Sequence, residues 1–316
     1  MHLQLLSVKI HYDLDSISEL KHTAVTTGTF DGVHLGHKTI IDKLISVAKQ
    51  IDGESVLLTF YPHPRMVLFP DDHQIRLLNT QSEKEQLLES CGIDHLVVVN
   101  FTKEFSRLSS LEFVRNILAN KLKAKKLVIG YDHHFGRNRE GSFAHLLEFG
   151  SLYGFEVEEI PAKDIDEVAV SSSKIRKAIE AGDIDTANKY LGYAYSFTGK
   201  VIKGKQLGRT IGYPTANIAI TDPYKLIPAI GVYAVKVMFA KQTYEGMLSI
   251  GKNPTVSNQN ILSIEVNIFE FNADIYNKEI TVFIYKKLRD EEKYSSLDEL
   301  KAQLAVDKQN ALKFLI

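Results

Sequence analysis

Between Val25 and Ala181 short apolar runs alternate with amphipathic stretches. Thr23–Thr27, Val56–Phe60, His95–Val99 and Lys126–Gly130 read as strands. Lys38–Gln50, Ser82–Ser90, Ser110–Lys123 and Ser142–Tyr153 read as helices, the third with Leu111, Val114, Ile117 and Leu118 on one side. Strands apolar on both faces, alternating with helices, predict a parallel sheet covered on each side. After Ala194 the period changes to two. Val232–Phe239, Tyr244–Ile250, Ile261–Phe271 and Glu279–Tyr285 predict strands of an antiparallel sheet or small barrel. Two helical segments, Ser296–Leu304 and Val306–Leu315, follow.

The change of period sets a boundary between Gly182 and Tyr195. The expected domains are therefore 1–186 and 187–316. The fold class is α/β: a Rossmann-like amino-terminal domain with a parallel sheet, then an antiparallel β-barrel with terminal helices. There is no internal repeat and no low-complexity tract.

Composition narrows the setting. A chain of 316 residues with 44% hydrophobic and 24% charged residues builds a real core. A net charge of -1 gives no basic field for nucleic acid or membrane, so neither is an expected partner. One cysteine, Cys91, excludes an intramolecular disulfide framework and fits a reducing compartment. Met1–Lys9 lacks the basic lead and apolar run of a signal peptide, and no apolar run is long enough to span a bilayer. A cytoplasmic location is expected; oligomeric state is not encoded legibly.

The most informative segment is Gly28-Thr29-Phe30-Asp31-Gly32-Val33-His34-Leu35-Gly36-His37. It follows a strand and precedes a helix. Its glycines allow tight turns and close approach to a ligand. His34 and His37 stand at a helix start, among free N–H donors and the positive end of the helix dipole, a setting that suits a phosphate. Two blander roles compete: a metal pair, which lacks a third ligand at the usual spacing, and simple capping. Tyr61-Pro62-His63-Pro64-Arg65 and Gly130-Tyr131-Asp132-His133-His134-Phe135-Gly136-Arg137 also follow strands. Ligands in open α/β sheets bind beyond the carboxyl ends, so these clusters converge. Val170-Ser171-Ser172-Ser173-Lys174-Ile175-Arg176 either caps a helix that Gly182 ends or closes over a triphosphate.

Together these motifs resemble the nucleotidylyltransferase module of bacterial bifunctional riboflavin kinase/FAD synthetase. The resemblance implies transfer of AMP from ATP to FMN. It implies His34, His37 and Arg176 as catalytic residues on the ATP phosphates. Gly28, Phe30, Asp31, Gly36, Asp132, Ser171, Ser172, Ser173 and Lys174 would bind the nucleotide, with Ser171–Arg176 a mobile loop closing on ATP. Phe60 and Pro62 would meet the flavin. Ser173 replaces the usual threonine, and His133 replaces the usual phenylalanine. An FMN phosphate with a second pKa of about 6 is already mostly ionised, so the reaction needs positioning and charge neutralisation rather than a base.

In the second half, Gly199–Asn217 is glycine-rich and ends in Pro214-Thr215-Ala216-Asn217. It reads as a loop between strands that covers phosphates with backbone N–H groups. Thr215 and Asn217, two apart on an extended segment, point to one side and can hold Mg²⁺ or bond within a turn. Glu265 lies on the polar side of a strand, either solvated or placed to take a proton from a primary alcohol, a role typically contributing about 10²–10⁴-fold. With Pro228–Tyr233, Ile250–Thr255 and Leu288–Glu292, these features resemble the riboflavin kinase module of the same family. The resemblance implies Thr215 and Asn217 as Mg²⁺/ATP ligands and Glu265 as base on the ribityl 5′-hydroxyl. Gly204, Lys205, Gly208 and Thr210 would cover the nucleotide, and Arg289 would lie near the flavin. Asn267 stands where His is common, and Asn277 where Gly is common.

The expected protein thus uses ATP and Mg²⁺, with riboflavin, FMN and FAD as substrate or product. Two alternatives stay open. One is a riboflavin kinase with a non-catalytic amino-terminal module, which His133 favours. The other is a non-catalytic flavin sensor, which the Thr215, Asn217 and Glu265 set opposes.

Overall fold

A computed structural model describes residues 8–17, 20–72, 74–131, 133–161, 170–204, 207–252 and 262–315. Asp132 and Lys205, both expected to bind nucleotide, lie outside the described residues. Packing divides the chain into two units. The first runs to Ser171 but leaves out Arg76–Thr80; that segment joins the second unit, which resumes at Ser172.

Six strands form the first unit's sheet: β1 (Lys9–His11), β2 (Thr23–Thr27), β3 (Ser55–Tyr61), β4 (His95–Asn100), β5 (Ala124–Gly130) and β6 (Glu156–Ile160). All neighbours run parallel, in the order β1-β4-β3-β2-β5-β6. Alternation along each strand divides the core. Ala24, Leu57, Leu96 and Val128 pack with Ile41, Leu44 and Val47 of α1 (Leu35–Gln50) and Leu88 of α3 (Gln81–Ser90), a short α2 (Pro64–Leu68) lying between in sequence. Val25, Leu58, Val97 and Ile129 pack with Phe113, Val114, Ile117 and Leu146 on the other side. The expected covered parallel sheet is present.

Three local expectations change. The helix read over Ser110–Lys123 is one α turn, α4 (Ser110–Phe113), continued with wider π winding over Val114–Lys121. Val114, Ile117 and Leu118 of the expected side are buried, together with Phe113, whereas Leu111 is exposed. α5 (Phe143–Tyr153) starts one residue later than expected. β1 and β6 had no reading from sequence: one is three residues long, and the other carries three glutamates in five residues.

The second unit is a closed antiparallel barrel. Its strands are β7 (Tyr195–Ile202), β8 (Ala216–Ala219), β9 (Gly231–Phe239), β10 (Gln242–Lys252), β11 (Leu262–Ile268) and β12 (Glu279–Arg289), ordered β10-β11-β8-β7-β12-β9 with β9 closing on β10. Two helices precede it, α6 (Ser172–Ala181) and α7 (Ile184–Leu191). They belong to the barrel by their bonds. Asn188 Nδ2 donates to the Ile284 carbonyl at 2.9 Å, Tyr195 N–H donates to Asn188 Oδ1 at 2.7 Å, and Lys286 pairs with Asp185. Segment Arg76–Thr80 is held similarly: Leu77 N–H donates to Tyr224 O at 2.7 Å, and Lys225 Nζ reaches Leu78 O and Ser196 O, each at 2.6 Å.

The glycine-rich stretch is not one loop. Gly199–Ile202 belongs to β7, and Leu207–Thr210 forms a helical turn, α8. A Cβ on Gly199 would fall 2.4 Å from the Ile218 side chain, so this glycine serves close strand approach. The two expected terminal helices are one, α9 (Leu297–Leu315), because Ala305 and its neighbours supply no helix-breaking residue.

Candidate functional site

β2, β3 and β5 are neighbours, so the segments leaving their carboxyl ends meet at one edge of the sheet. Chain order reverses between β2 and β5, and ligands of open α/β sheets bind at such a switch point. The β2 segment carries Gly28, Phe30 and Asp31 into α1. Phe30, Gly32 and Val33 take positive φ values of 49°, 90° and 36°. For the two non-glycine residues this costs about 1–3 kcal/mol each, strain that persists where surroundings over-determine it. Burial of Phe30 and Val33 in the α1 side of the core does so.

His34 caps α1. Its Nδ1 accepts the His37 N–H at 3.3 Å, and its carbonyl accepts from Lys38 N–H at 2.9 Å. Acceptance at Nδ1 puts the proton of a neutral His34 ring on Nε2. The two imidazoles stack with centroids 3.7 Å apart, and Phe30 lies 5.0 Å from His37. Burial, then the neighbouring His34 and Lys84, hold the His37 pKa well below the ordinary histidine value. His37 is therefore a neutral hydrogen-bonding group at neutral pH. Its Nδ1 is buried and has no hydrogen-bond partner among the described residues. Gly36 is buried in the first turn, where amides have no intrahelical acceptor.

Beside this edge, Phe60, Phe101 and Phe105 form a triangle with centroids 5.5–5.8 Å apart. Pro62 follows β3, half-buried. His133 stacks at 6.0 Å on Phe135, so the departure from phenylalanine keeps a ring on a ring. Sequence reading overlooked Phe101, Phe105 and above all Lys84, which is only 7% exposed. Lys84 shares a helix face with buried Leu88 four residues on, a periodic signal that could have revealed it.

Ser171 closes the first unit, whereas Ser172, Ser173, Lys174 and Arg176 belong to α6 of the second. Arg176 Nε donates to the Arg76 carbonyl at 2.7 Å, within that unit.

The barrel brings its expected trio together. Glu265 on β11 pairs in register with Asn217 on β8 and Ser249 on β10. Glu265 Oε2 accepts the Thr215 hydroxyl at 3.0 Å, and Oε1 accepts the Ser263 hydroxyl at 3.0 Å. A Cβ on Gly204 would fall 2.0 Å from Asn217 Nδ2, so the backbone passes directly over that amide. Gly208 and Thr210 lie in α8, and the Tyr213 N–H donates to the Gly208 carbonyl at 2.8 Å. Asn267 Nδ2 donates to the Pro214 carbonyl at 2.6 Å, fixing the segment that carries Thr215. Arg289 is committed to the fold: Nε and Nη2 grip buried Asp307 of α9 at 2.8–3.1 Å, and Nη1 donates to Asp290 O at 2.9 Å.

Comparison with known proteins accounts for both halves. The FAD synthetase family matches residues 16–174, and the riboflavin kinase family matches residues 191–315. A Listeria monocytogenes protein named bifunctional riboflavin kinase/FMN adenylyltransferase is 40% identical over 91% of this chain and 90% of its own. The chain belongs to the bifunctional riboflavin kinase/FMN adenylyltransferase family. A family relative of the same name in Escherichia coli K12 is 35% identical over 92% of both chains. A crystal structure described as a macrolide-efflux protein from Streptococcus pneumoniae has the same fold, with TM-score 0.86, 32% identity and coverage of 96% of this chain and 97% of that one. Among the described residues of this chain no helix is long and apolar enough to cross a membrane.

Proposed function

We infer that this bifunctional enzyme carries out two consecutive transfers from ATP. The barrel unit phosphorylates riboflavin to FMN; the sheet unit joins AMP to FMN, giving FAD and pyrophosphate. The observation that carries this reading is the presence, in one chain, of a histidine-capped helix start at a sheet switch point and a separate Thr215–Glu265 pair opposite Asn217.

In the barrel unit, Glu265 accepts the proton of the ribityl 5′-hydroxyl as its oxygen attacks the γ-phosphorus. The bond from that phosphorus to the β-bridging oxygen breaks, and ADP leaves. The Thr215 and Ser263 hydroxyls orient the carboxylate. Thr215 spends its hydrogen on Glu265, which leaves its oxygen lone pairs for a cation; with the Asn217 amide oxygen it forms the hard donor set that suits Mg²⁺. Bound there, Mg²⁺ would neutralise phosphate charge. Gly204, Gly208 and Thr210 cover the nucleotide.

In the sheet unit, an ionised FMN phosphate oxygen attacks the α-phosphorus and pyrophosphate leaves in line. His37 donates to phosphate oxygens as a neutral ring, and His34 does so through Nε2–H. Gly28, Asp31 and Gly36 shape the cradle, and Phe30 packs His37 in place. Phe60 and Pro62 border the flavin, joined by Phe101 and Phe105. Ser171, at the end of the sheet unit, keeps its assignment to ATP, and Arg289 acts behind the flavin by holding α9. A cytoplasmic location and small-molecule substrates alone complete the reading, in keeping with the single free cysteine.

Paired substitutions test it. Glu265→Gln should slow riboflavin phosphorylation by about 10²–10⁴-fold and leave conversion of FMN to FAD intact. His37→Ala should do the reverse. Loss of both activities from either variant, with the chain folded, contradicts separate sites.

A further inference from the structure

We propose that Lys84 is a positioning residue for adenylyl transfer: its ammonium ties the segment leading to His34 and His37 to the end of β3. The proposal rests on the adenylyl-transfer reading above and adds a residue to it.

Lys84 projects from α3 into the carboxyl edge of the sheet and is almost wholly buried. Its Nζ lies 3.2 Å from Thr59 Oγ1, 3.3 Å from the Phe60 carbonyl and 3.4 Å from the Thr29 carbonyl. Thr59 Oγ1 also donates to the Thr29 carbonyl, at 3.1 Å. The Thr29 carbonyl is thus gripped twice, directly before the strained Phe30-Asp31-Gly32-Val33 turn. All three ammonium hydrogens go to protein oxygens, so Lys84 acts through its neighbours rather than on substrate.

Fold maintenance does not require this group. The three bonds are longer than the roughly 2.7–2.9 Å typical of charge-assisted pairs. An apolar side chain of similar length would fill the space without desolvating a charge. The charged and titratable groups that interact with the ammonium are Asp31 from the β2 segment, His37 in the first turn of α1 and Glu85 from its own helix, while β3 offers Thr59 Oγ1 and the Phe60 carbonyl. Burial lowers the Lys84 pKa to about 8, against the opposing pull of Asp31 and Glu85. The positive charge in turn helps keep His37 neutral. Loss of the proton removes one of three donors and that charge together.

The test measures kcat and KM for FMN adenylylation by the full chain from neutral to mildly alkaline pH, with riboflavin phosphorylation by the same samples as internal control. The wild type should lose adenylylation kcat with an apparent pKa of about 8, while phosphorylation shows no such limb. Lys84→Arg, charged throughout this range, should lose the limb. Lys84→Met should lower adenylylation kcat by about 10²-fold, with KM for FMN unchanged and phosphorylation retained. A wild type without the limb, a limb that persists in Lys84→Arg, or full adenylylation by Lys84→Met overturns the proposal. Should Lys84→Met fail to fold, the Lys84→Arg profile alone decides. A wild-type chain that makes no FAD at any pH overturns the adenylyl-transfer reading itself.

Discussion

His37 and Lys84 illustrate how far a residue's neighbours outweigh its type. Both bear ionisable groups, and burial disfavours charge on each. For His37 the folded pKa lies below the unfolded value of 6.5. The unfolded chain therefore binds the extra proton as pH falls below 6.5, and this contribution to stability is lost in acid. An NMR titration should find His37 neutral at pH 6.5, and His37→Asn should flatten the acid side of the stability curve; a ring titrating at 6.5 contradicts the burial argument. For Lys84, lowering the pKa from 10.5 to about 8 corresponds to about 3 kcal/mol of penalty, fully present below pH 8 and relieved as pH rises toward 10.5. Lys84→Met should therefore hold or raise the unfolding midpoint at neutral pH while weakening adenylylation. Asn267 is a simpler case. Removing its donor to Pro214 should cost about 1–3 kcal/mol locally and lower riboflavin phosphorylation, and Asn267→His should restore it by supplying another ring N–H.

Elements place these residues. The strand–turn–helix around His34 was legible because a glycine-flanked turn between an apolar run and an amphipathic stretch has few alternative folds. The β6 strand was not, since Glu156, Glu158 and Glu159 suggest a solvated loop and only pairing with β5 makes them a strand. The second half of β7 was hidden by Gly199, whose small size serves strand packing rather than phosphate. Arg289 was legible as important but not in what it does: its bidentate partner Asp307 lies on a helix eighteen residues away in sequence. Asp307→Ala should cost about 3 kcal/mol by stranding a partly buried guanidinium, and hydrogen exchange should quicken first in Leu297–Leu315. Protection unchanged there would mean that α9 is held by its apolar contacts alone. Gly204→Ala should displace the Asn217 amide and depress phosphorylation with the barrel still folded.

Across the whole chain, the change of hydrophobic period from helix-and-strand to strict alternation revealed two modules before any contact was known. It did not reveal that Arg76–Thr80, flanked in sequence by the sheet unit, pairs within the barrel unit. That pairing depends on Lys225 reaching Leu78 O from far along the chain, a link that local patterning cannot carry. The central claim is that one molecule draws on two different phosphorus atoms of ATP in succession. The most direct measurement supplies the pure chain with riboflavin, Mg²⁺ and ATP labelled at either the γ or the α phosphorus. The account predicts γ label in FMN and then in FAD, and α label in FAD alone. Label from only one position in the flavin products, or α label in FMN, would contradict it.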